Sequence, residues 1–427
     1  MRLILAILVG KLIAYFSKTL HFGGGSAAPG LYALKIEPKL VEKLIQKIPQ
    51  NIVITGTNGK TTTARMIAHF AKESNLKVIR NHTGSNLERG IASALIQSLG
   101  VNLRHTGCVL DRHLGIWELD EATFNSVAPK IKPDLVVFLN VFRDQLDRYG
   151  EIDSVVKNWC EALKDLPKDT LVLLNGDDTN TLKLKNCFKG SVETFGVEGF
   201  KIEGEAIEKR KTQPKLDFEA KNVKQNGLNG SSFSLIINQE SLIINLPLPG
   251  IYHIYDALAA IAAASNLPLT INHKLLTNFQ PAFGRFEKLP FGSIFLIKNP
   301  AGATQVFETI NPNLRPNDRL LLTLNDNLAD GTDVSWIWDA NFELLTTNHK
   351  PLIICSGARA TDLAVRLKYA GFDPKNITVE PNLENALEQA RKGLKGALYI
   401  LPTYTALLEI QKILVKMKIK QNYWREK

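Results

Sequence analysis

Apolar runs and Gly-rich breaks alternate along most of this chain. Beyond Pro49 the triplet Ile52-Val53-Ile54 leads into Gly56-Thr57-Asn58-Gly59-Lys60-Thr61-Thr62-Thr63, and Ala64 to Ala71 follow at helical spacing. Strand, Gly-rich turn and helix in that order open a parallel α/β sheet. Leu135-Val136-Val137-Phe138-Leu139 and Leu171-Val172-Leu173-Leu174 are near-continuous apolar runs, the pattern of strands covered on both faces. Residues 176 to 245 are different: polar, rich in Lys and Asn, with the alternating Ser232-Phe233-Ser234-Leu235 and the apolar Leu242-Ile243-Ile244. These predict antiparallel hairpins inserted in the domain. Ala257 to Ala264 predicts a small-residue helix able to pack closely on the sheet, and a hinge is expected near Phe283-Gly284-Arg285. Ile294 to Ile297, Arg319 to Leu324, Leu352 to Ile354 and Ala397 to Ile400 then repeat the α/β rhythm. The expected organisation is a first α/β domain over 1–283, carrying an N-terminal helix and a polar insertion at about 176–245, and a smaller nucleotide-fold-like domain over 284–427.

The N-terminus carries the apolar run Leu3 to Gly10 behind Arg2, broken by Lys11. A spanning helix needs about 20 apolar residues. Lys11 and Lys18 share a helical face while Leu12, Ile13, Tyr15 and Phe16 fill the rest. The preferred reading is a packed or interfacial helix, with weak membrane docking or a cleaved signal as alternatives.

Length and composition narrow the class. The chain has 427 residues, 44% hydrophobic, with a net charge of +10, which excludes disorder, collagen and a small disulfide scaffold. The positive charge is not gathered into long runs, so it suits an anionic ligand or membrane surface rather than nucleic acid. The four cysteines, Cys108, Cys160, Cys187 and Cys355, form no C-x-x-C pair and read as reduced, cytosolic thiols.

The strongest chemical signal is the loop at 56 to 63. Small residues let backbone N–H groups of Gly56, Thr57, Asn58 and Gly59 converge on phosphate oxygens, Lys60 adds a point charge, and Thr61 and Thr62 open a helix whose N-terminus favours anions. This predicts a nucleoside triphosphate, with the Thr61 hydroxyl on Mg²⁺. Position 54 is Ile rather than Gly, so the loop is the shorter G-T-N-G-K-T form. In Trp117-Glu118-Leu119-Asp120-Glu121, Glu118 is the first choice for a second Mg²⁺ ligand; a solvated acidic face is the alternative, and it weighs more for Glu121. Asn140 and Asp144 follow an apolar strand, where ligands gather in open parallel sheets.

With these motifs in order, the chain resembles the ATP-dependent Mur ligases. The resemblance rests on T-G-T-N-G-K-T-T-T, Glu118, the N-x-x-x-D segment at 140 to 144, G-I-Y-H-I-Y-D-A-L-A-A at 250 to 260 and F-G-R at 283 to 285. Within that family it is most similar to the MurT branch, through R-N-H-T-G-S-N-L-E-R-G at 80 to 90, F-R-D-Q-L-D-R-Y-G-E at 142 to 151, K-N-P-A-G at 298 to 302, L-N-D-N-L-A-D-G-T-D-V-S-W-I-W-D at 324 to 339 and S-G-A-R-A-T-D at 356 to 362. The resemblance implies a P-loop Mur ligase central domain, with helices on both faces of a parallel sheet, and a Rossmann-like C-terminal domain. It implies amidation of the α-carboxyl of D-glutamate in the lipid II stem peptide through an acyl phosphate, in peptidoglycan biosynthesis. ATP and Mg²⁺ are the implied cofactors, the ammonia coming from a GatD-type glutaminase subunit bound to the C-terminal domain. It also implies a cytoplasmic protein, with peripheral placement at the inner face of the plasma membrane as an open alternative.

Residue by residue, the resemblance gives Lys60, Thr61 and Glu118 to the transferring phosphoryl group and its Mg²⁺, and Arg285 to phosphate or substrate carboxylate. An aspartate of 330 to 339 is expected to complete the partner's Cys-His pair: Asp339 is the preferred match, with Asp333 and Asp330 unresolved by motif position. Trp336 and Trp338 serve equally as partner-facing anchors or core residues. No zinc is expected, because the region 176 to 245 holds Cys187 alone where relatives carry a Cys₄ ribbon. His253 and Asp256 stand where the family tends to have Asn and are expected near adenine; neither preserves an amide's paired donor and acceptor. The rival readings are an amino-acid-adding ligase of the same family and a non-catalytic ATP-binding scaffold.

Overall fold

The computed structural model describes residues 1–19, 27–81, 85–98, 112–142, 152–203, 206–209, 215–269, 273–281, 284–346 and 351–420. Three helices open the chain, α1 (Arg2–Thr19), α2 (Ala28–Ile36) and α3 (Leu40–Ile45). A βα series follows: β1 (Gln50–Thr55), α4 (Lys60–Glu73), β2 (Lys77–Arg80), α5 (Glu88–Ser98), β3 (His113–Leu119), α6 (Glu121–Ile131), β4 (Leu135–Phe138), α7 (Ile152–Lys164), β5 (Leu171–Asn175), α8 (Thr179–Lys183) and β6 (Ser191–Val197). Then come β7 (Phe200–Glu203), β8 (Ala206–Lys209), β9 (Phe218–Gln225), β10 (Ser231–Ile237), β11 (Glu240–Leu246) and α9 (Ile251–Ser265). The last third holds β12 (Glu287–Leu289), β13 (Gly292–Ile294), α10 (Pro300–Ile310), β14 (Arg319–Thr323), β15 (Leu352–Ser356), α11 (Ala360–Tyr369), β16 (Ile377–Val379), α12 (Leu383–Arg391), β17 (Leu398–Pro402) and α13 (Tyr404–Lys416).

The larger sheet has nine strands in the order β11-β10-β9-β6-β5-β4-β1-β3-β2, parallel from β2 to β9 and antiparallel from β9 to β11. In its middle, β4 and Leu171–Leu174 of β5 are continuous apolar runs because both faces are covered. Alternate side chains serve opposite cores: Val53, Val136, Phe138 and Val172 meet the N-terminal helices, α5, α6 and α7, whereas Ile52, Ile54, Val137 and Leu173 meet α4 and α9. Among the described residues the polar region forms no separate layer except the β7–β8 pair; β6 and β9 extend the parallel sheet and β10–β11 close its edge.

The second sheet has six strands in the order β12-β13-β17-β14-β15-β16, parallel apart from the β12–β13 pair. One apolar core runs from α9 through Ala301, Val306 and Phe307 of α10 to Leu320 and Leu322 of β14, so the two sheets are packed together along α9 and α10. That seam places the loop after β13 against the loop after β1.

Two cysteines require a correction. Cys160 of α7 and Cys187, just beyond α8, are joined as a disulfide with Cα atoms 5.2 Å apart, so they are not the reduced thiols expected. They stand 27 positions apart in sequence, and only the packing of α7 on α8 and the turn after it brings them together. Cys355 is buried in β15, which pushes its thiol up to about 12 and leaves it inert. Cys108 lies outside the described residues. Among the described residues no helix is long and apolar enough to cross a membrane.

Candidate functional site

The site is assembled at the carboxyl ends of β1, β3 and β4, facing the second sheet. Between β1 and α4 the loop turns on Gly56 and Gly59, at φ +135° and +91°. A Cβ at Gly59 would stand 2.1 Å from Oδ1 of Asp256, so only glycine fits. Asn140, two residues past β4, clasps the loop: its Oδ1 accepts from the Asn58 N–H at 2.9 Å, its Nδ2 donates to Asn58 O at 3.1 Å, and its own carbonyl accepts from the Thr57 N–H at 3.1 Å. The Thr57 hydroxyl accepts from the Phe142 N–H at 3.0 Å. Asp144 lies outside the described residues.

Lys60, Thr61 and Thr62 form the first turn of α4. The Lys60 ammonium bends over the loop to donate to Gly56 O, and stands 3.6 Å from Asp120 Oδ1 and 3.8 Å from Glu121 Oε2. The Thr61 hydroxyl donates to Glu118 Oε2 at 2.6 Å. Glu118 is fixed by its backbone, which exchanges bonds of 2.9 and 2.8 Å with the Asn81 side chain. Burial pushes its carboxyl above the usual range, against the pull of Thr61, Arg80, Lys60 and Arg285. The solvated face weighed as the alternative for Glu121 is not what the structure has: the residue is buried, and although burial alone would raise its carboxyl, Lys60 and Lys298 outweigh that and hold it low. It is enclosed because it begins α6 directly behind β3.

The opposite wall comes from the segment between β13 and α10. Lys298 Nζ donates to Thr57 O at 3.3 Å. The Asn299 amide faces that of Asn58, donating from Nδ2 at 3.1 Å and accepting at Oδ1 at 3.3 Å, while the same Oδ1 caps α10 through the Gly302 N–H at 2.8 Å. Beside this seam a cleft is lined by Asn58, Asn140, Tyr252, His253, Asp256 and Arg285. His253 is buried, with Nδ1 2.7 Å from Pro249 O and no protein partner for Nε2. Burial, with the positive charge of Arg285 acting the same way, lowers it to about 4, so the ring is neutral and Nε2 offers a lone pair. Asp256 is pushed up by burial despite Arg285.

Asp339 does not line this cleft. It is exposed, at the end of the 3₁₀ turn Ser335–Trp338, next to Trp338 and across from Tyr369, whose rings meet edge to face at 5.6 Å. Trp338 is 50% and Tyr369 75% exposed, while Trp336 packs partly buried against the core. Asp330 is buried and accepts from the Thr405 N–H at 2.8 Å and from its hydroxyl, which holds the start of α13. Asp333 accepts from the Ser335 N–H at 2.8 Å, a local turn.

Comparison with known proteins agrees with this architecture. The family model for the Mur ligase middle domain matches residues 54–264, and that for the MurT ligase C-terminal region matches 296–407. The MurT subunit of lipid II isoglutaminyl synthase (glutamine-hydrolyzing) from Streptococcus pneumoniae is 33% identical over 93% of this chain and 94% of its own length. The chain belongs to the MurT family. A MurT subunit from Staphylococcus aureus is 30% identical over 90% of this chain and 91% of its own. Among solved structures, MurF from Acinetobacter baumannii shares the fold at a TM-score of 0.68 and 16% identity, covering 91% of this chain and 80% of its own. Against this MurT-type frame, Asp120, Lys298 and Asn299 are the site residues that reading the sequence did not single out. K-N-P-A-G was visible as a motif, but nothing local says that it faces the loop of another sheet.

Proposed function

We propose that this MurT-type chain is the ligase subunit that amidates the α-carboxyl of D-glutamate in the stem peptide of lipid II, drawing on ATP and on ammonia from a GatD-type glutaminase. The observation that carries the reading is the Thr61–Glu118 pair beside Lys60, at a glycine loop faced by Lys298 and Asn299, in a chain similar to MurT subunits along nearly its whole length.

The residues present suit a nucleotide. The loop cannot carry a side chain at Gly59, its N–H groups stand at the start of α4, and the Nε2 of His253 is an acceptor for an N–H donor such as an exocyclic adenine amine. An Asn would also donate from this position, so His253 keeps half of that recognition. Thr61 and Glu118 supply the oxygen donors that Mg²⁺ prefers; they would hold the ion, which would supply positive charge to neutralise the phosphate groups. Lys60 would exchange its Gly56 carbonyl and carboxylate neighbours for phosphate oxygens, and Arg285 would clamp phosphate or the substrate carboxylate.

In the reaction, a carboxylate oxygen of the substrate attacks the γ-phosphorus and ADP leaves. Ammonia then adds to the acyl carbon, phosphate departs and a proton is lost, giving the amide. Lys60 and Arg285 stabilise the charge that develops on the transferred group. We assign residues 1–283 to nucleotide and substrate and 284–427 to the glutaminase partner, with Asp339 completing the partner's site. Asp339 is preferred to Asp330, which holds α13, and to Asp333, which closes a local turn. The lipid-linked substrate places the enzyme at the cytoplasmic face of the membrane.

The test is amidation of lipid II with purified protein. Ammonium at high concentration should support the reaction without a partner, glutamine only with the glutaminase, and Lys60→Ala should abolish both. A Lys60→Ala protein that still amidates at the wild-type rate would overturn the assignment.

A further inference from the structure

We infer that the outer face of α1 is a docking surface for an anionic bilayer. The inner face of α1 is fixed by Ala6, Ile7 and Gly10, which are buried against α2 and α5. A Cβ at Gly10 would come within 2.8 Å of the Ile96 side chain, so that contact is close. The opposite face carries Ile4, Leu5, Leu8, Leu12, Tyr15 and Phe16, each at least half exposed. Their spacing of three and four residues puts them on one stripe of the helix. Tyr32 of α2 is also exposed, with the Lys35 ammonium 5.4 Å from its ring centre.

Isolated exposed apolar residues need no explanation, but a stripe of this length does. At 18 residues α1 is about 27 Å long. It does not meet the requirements for crossing a membrane. It has the length and composition to lie in the plane of an interface with its apolar side chains below the headgroups.

Charge decides the occupant. Residues 1 to 49 hold seven Lys and Arg but two Asp and Glu, so about half of the chain's +10 sits in its first ninth. At 100° per residue, Arg2 and Lys11 fall on opposite borders of the apolar stripe, where they would meet lipid headgroups while the stripe enters the acyl region. Pairing with a second copy of this face would bring the same cations together, whereas an anionic lipid surface neutralises them. Leu, Phe and Tyr between cationic borders are the composition of an interfacial helix. This deepens the reading of a membrane-borne substrate by naming the surface that meets the membrane, and its readout is vesicle binding, with turnover only as a folding control.

The experiment is sedimentation of the full chain with vesicles of phosphatidylcholine alone or with phosphatidylglycerol added. Wild-type protein should bind the anionic vesicles, and less so as salt rises. Leu5→Gln/Leu8→Gln/Leu12→Gln, at solvent-facing positions, should lower the bound fraction at least about tenfold. Arg2→Gln/Lys11→Gln should weaken it by about fivefold per cation removed. Both variants should keep wild-type amidation of a water-soluble substrate lacking the lipid, which shows that they fold and separates this surface from the catalytic reading. Equal binding to both vesicle types, unchanged binding by the triple variant, or a wild-type dimer that the triple variant disperses would each overturn the proposal; the last would assign the face to a second copy.

Discussion

The hydroxyl of Thr61 donates to Oε2 of Glu118 across 2.6 Å, joining residues 57 positions apart at the mouth of the glycine loop. Both are oxygen donors, and Glu118 is buried among Arg80, Lys60 and Arg285. Replacing Glu118 by Gln keeps the shape and the acceptor but removes the charge. We expect Glu118→Gln to lower kcat for ATP-dependent amidation by roughly 10² to 10³, the scale of losing one preorganised electrostatic contact. Thr61→Val should raise the Mg²⁺ concentration needed for half-maximal rate. A Mg²⁺ titration of both variants, with folding checked by thermal denaturation, decides this.

Asn299 has two separable duties. Its Oδ1 caps α10 and its Nδ2 reaches Asn58. Asn299→Asp retains the cap while losing the donor to Asn58; Asn299→Ala loses both. The first should melt near the wild-type temperature and yet turn over at least about tenfold slower, while the second should also lose about 1 kcal/mol of stability. Equal turnover in Asn299→Asp and wild type would remove the amide pair from the working site.

Arg366 positions the surface that carries Asp339. Its buried guanidinium donates from Nε to Ile337 O at 3.0 Å, from Nη2 to Ala340 O at 2.9 Å, and from Nη1 to Glu343 at 2.9 Å. It also lies 5.6 Å from the Trp338 ring and 5.2 Å from that of Phe342. No other side chain provides this planar fork, and Lys supplies a point charge instead. Arg366→Lys should leave ammonium-driven amidation within about twofold of wild type but reduce the glutamine-driven rate at least about tenfold. Rates with the two nitrogen donors, measured side by side, are the readout.

His253 gives the protein a pH dependence of known sign. Its folded value of about 4 lies below the ordinary 6.5, so between those limits the unfolded chain binds a proton that the folded chain refuses. The stability of the neutral ring is complete above pH 6.5 and is lost as pH falls toward 4, by up to about 3 kcal/mol. His253→Asn should flatten chemical denaturation midpoints over that interval. An unchanged slope would show that other groups dominate it.

Legibility in the sequence followed contiguity. Glycines, Lys60 and Thr61 are neighbours, and a strand entering a Gly-rich turn before a helix fixes their geometry through backbone constraints alone. The apolar runs of β4 and β5 likewise announced strands covered on both faces. The burial of Glu121 was not legible, because a carboxylate between Asp120 and Ala122 gives no local sign that the start of α6 will be enclosed. The Cys160–Cys187 pair was invisible for the same reason, since a 27-residue interval says nothing until α7 packs on α8 and the turn beyond it.

By itself the sequence determined the Gly-rich turn before α4, the parallel α/β class and the family likeness, because each is written in adjacent residues or in the period of apolar positions. Only the tertiary structure decided which distant groups join that turn. The parallel register of β1 and β3 sets Glu118 opposite Ile54, one step before the strand gives way to the loop, and the packing of α10 on α9 brings Asn299 to Asn58. Register and helix packing follow from the mutual fit of whole faces, which no local window of residues contains.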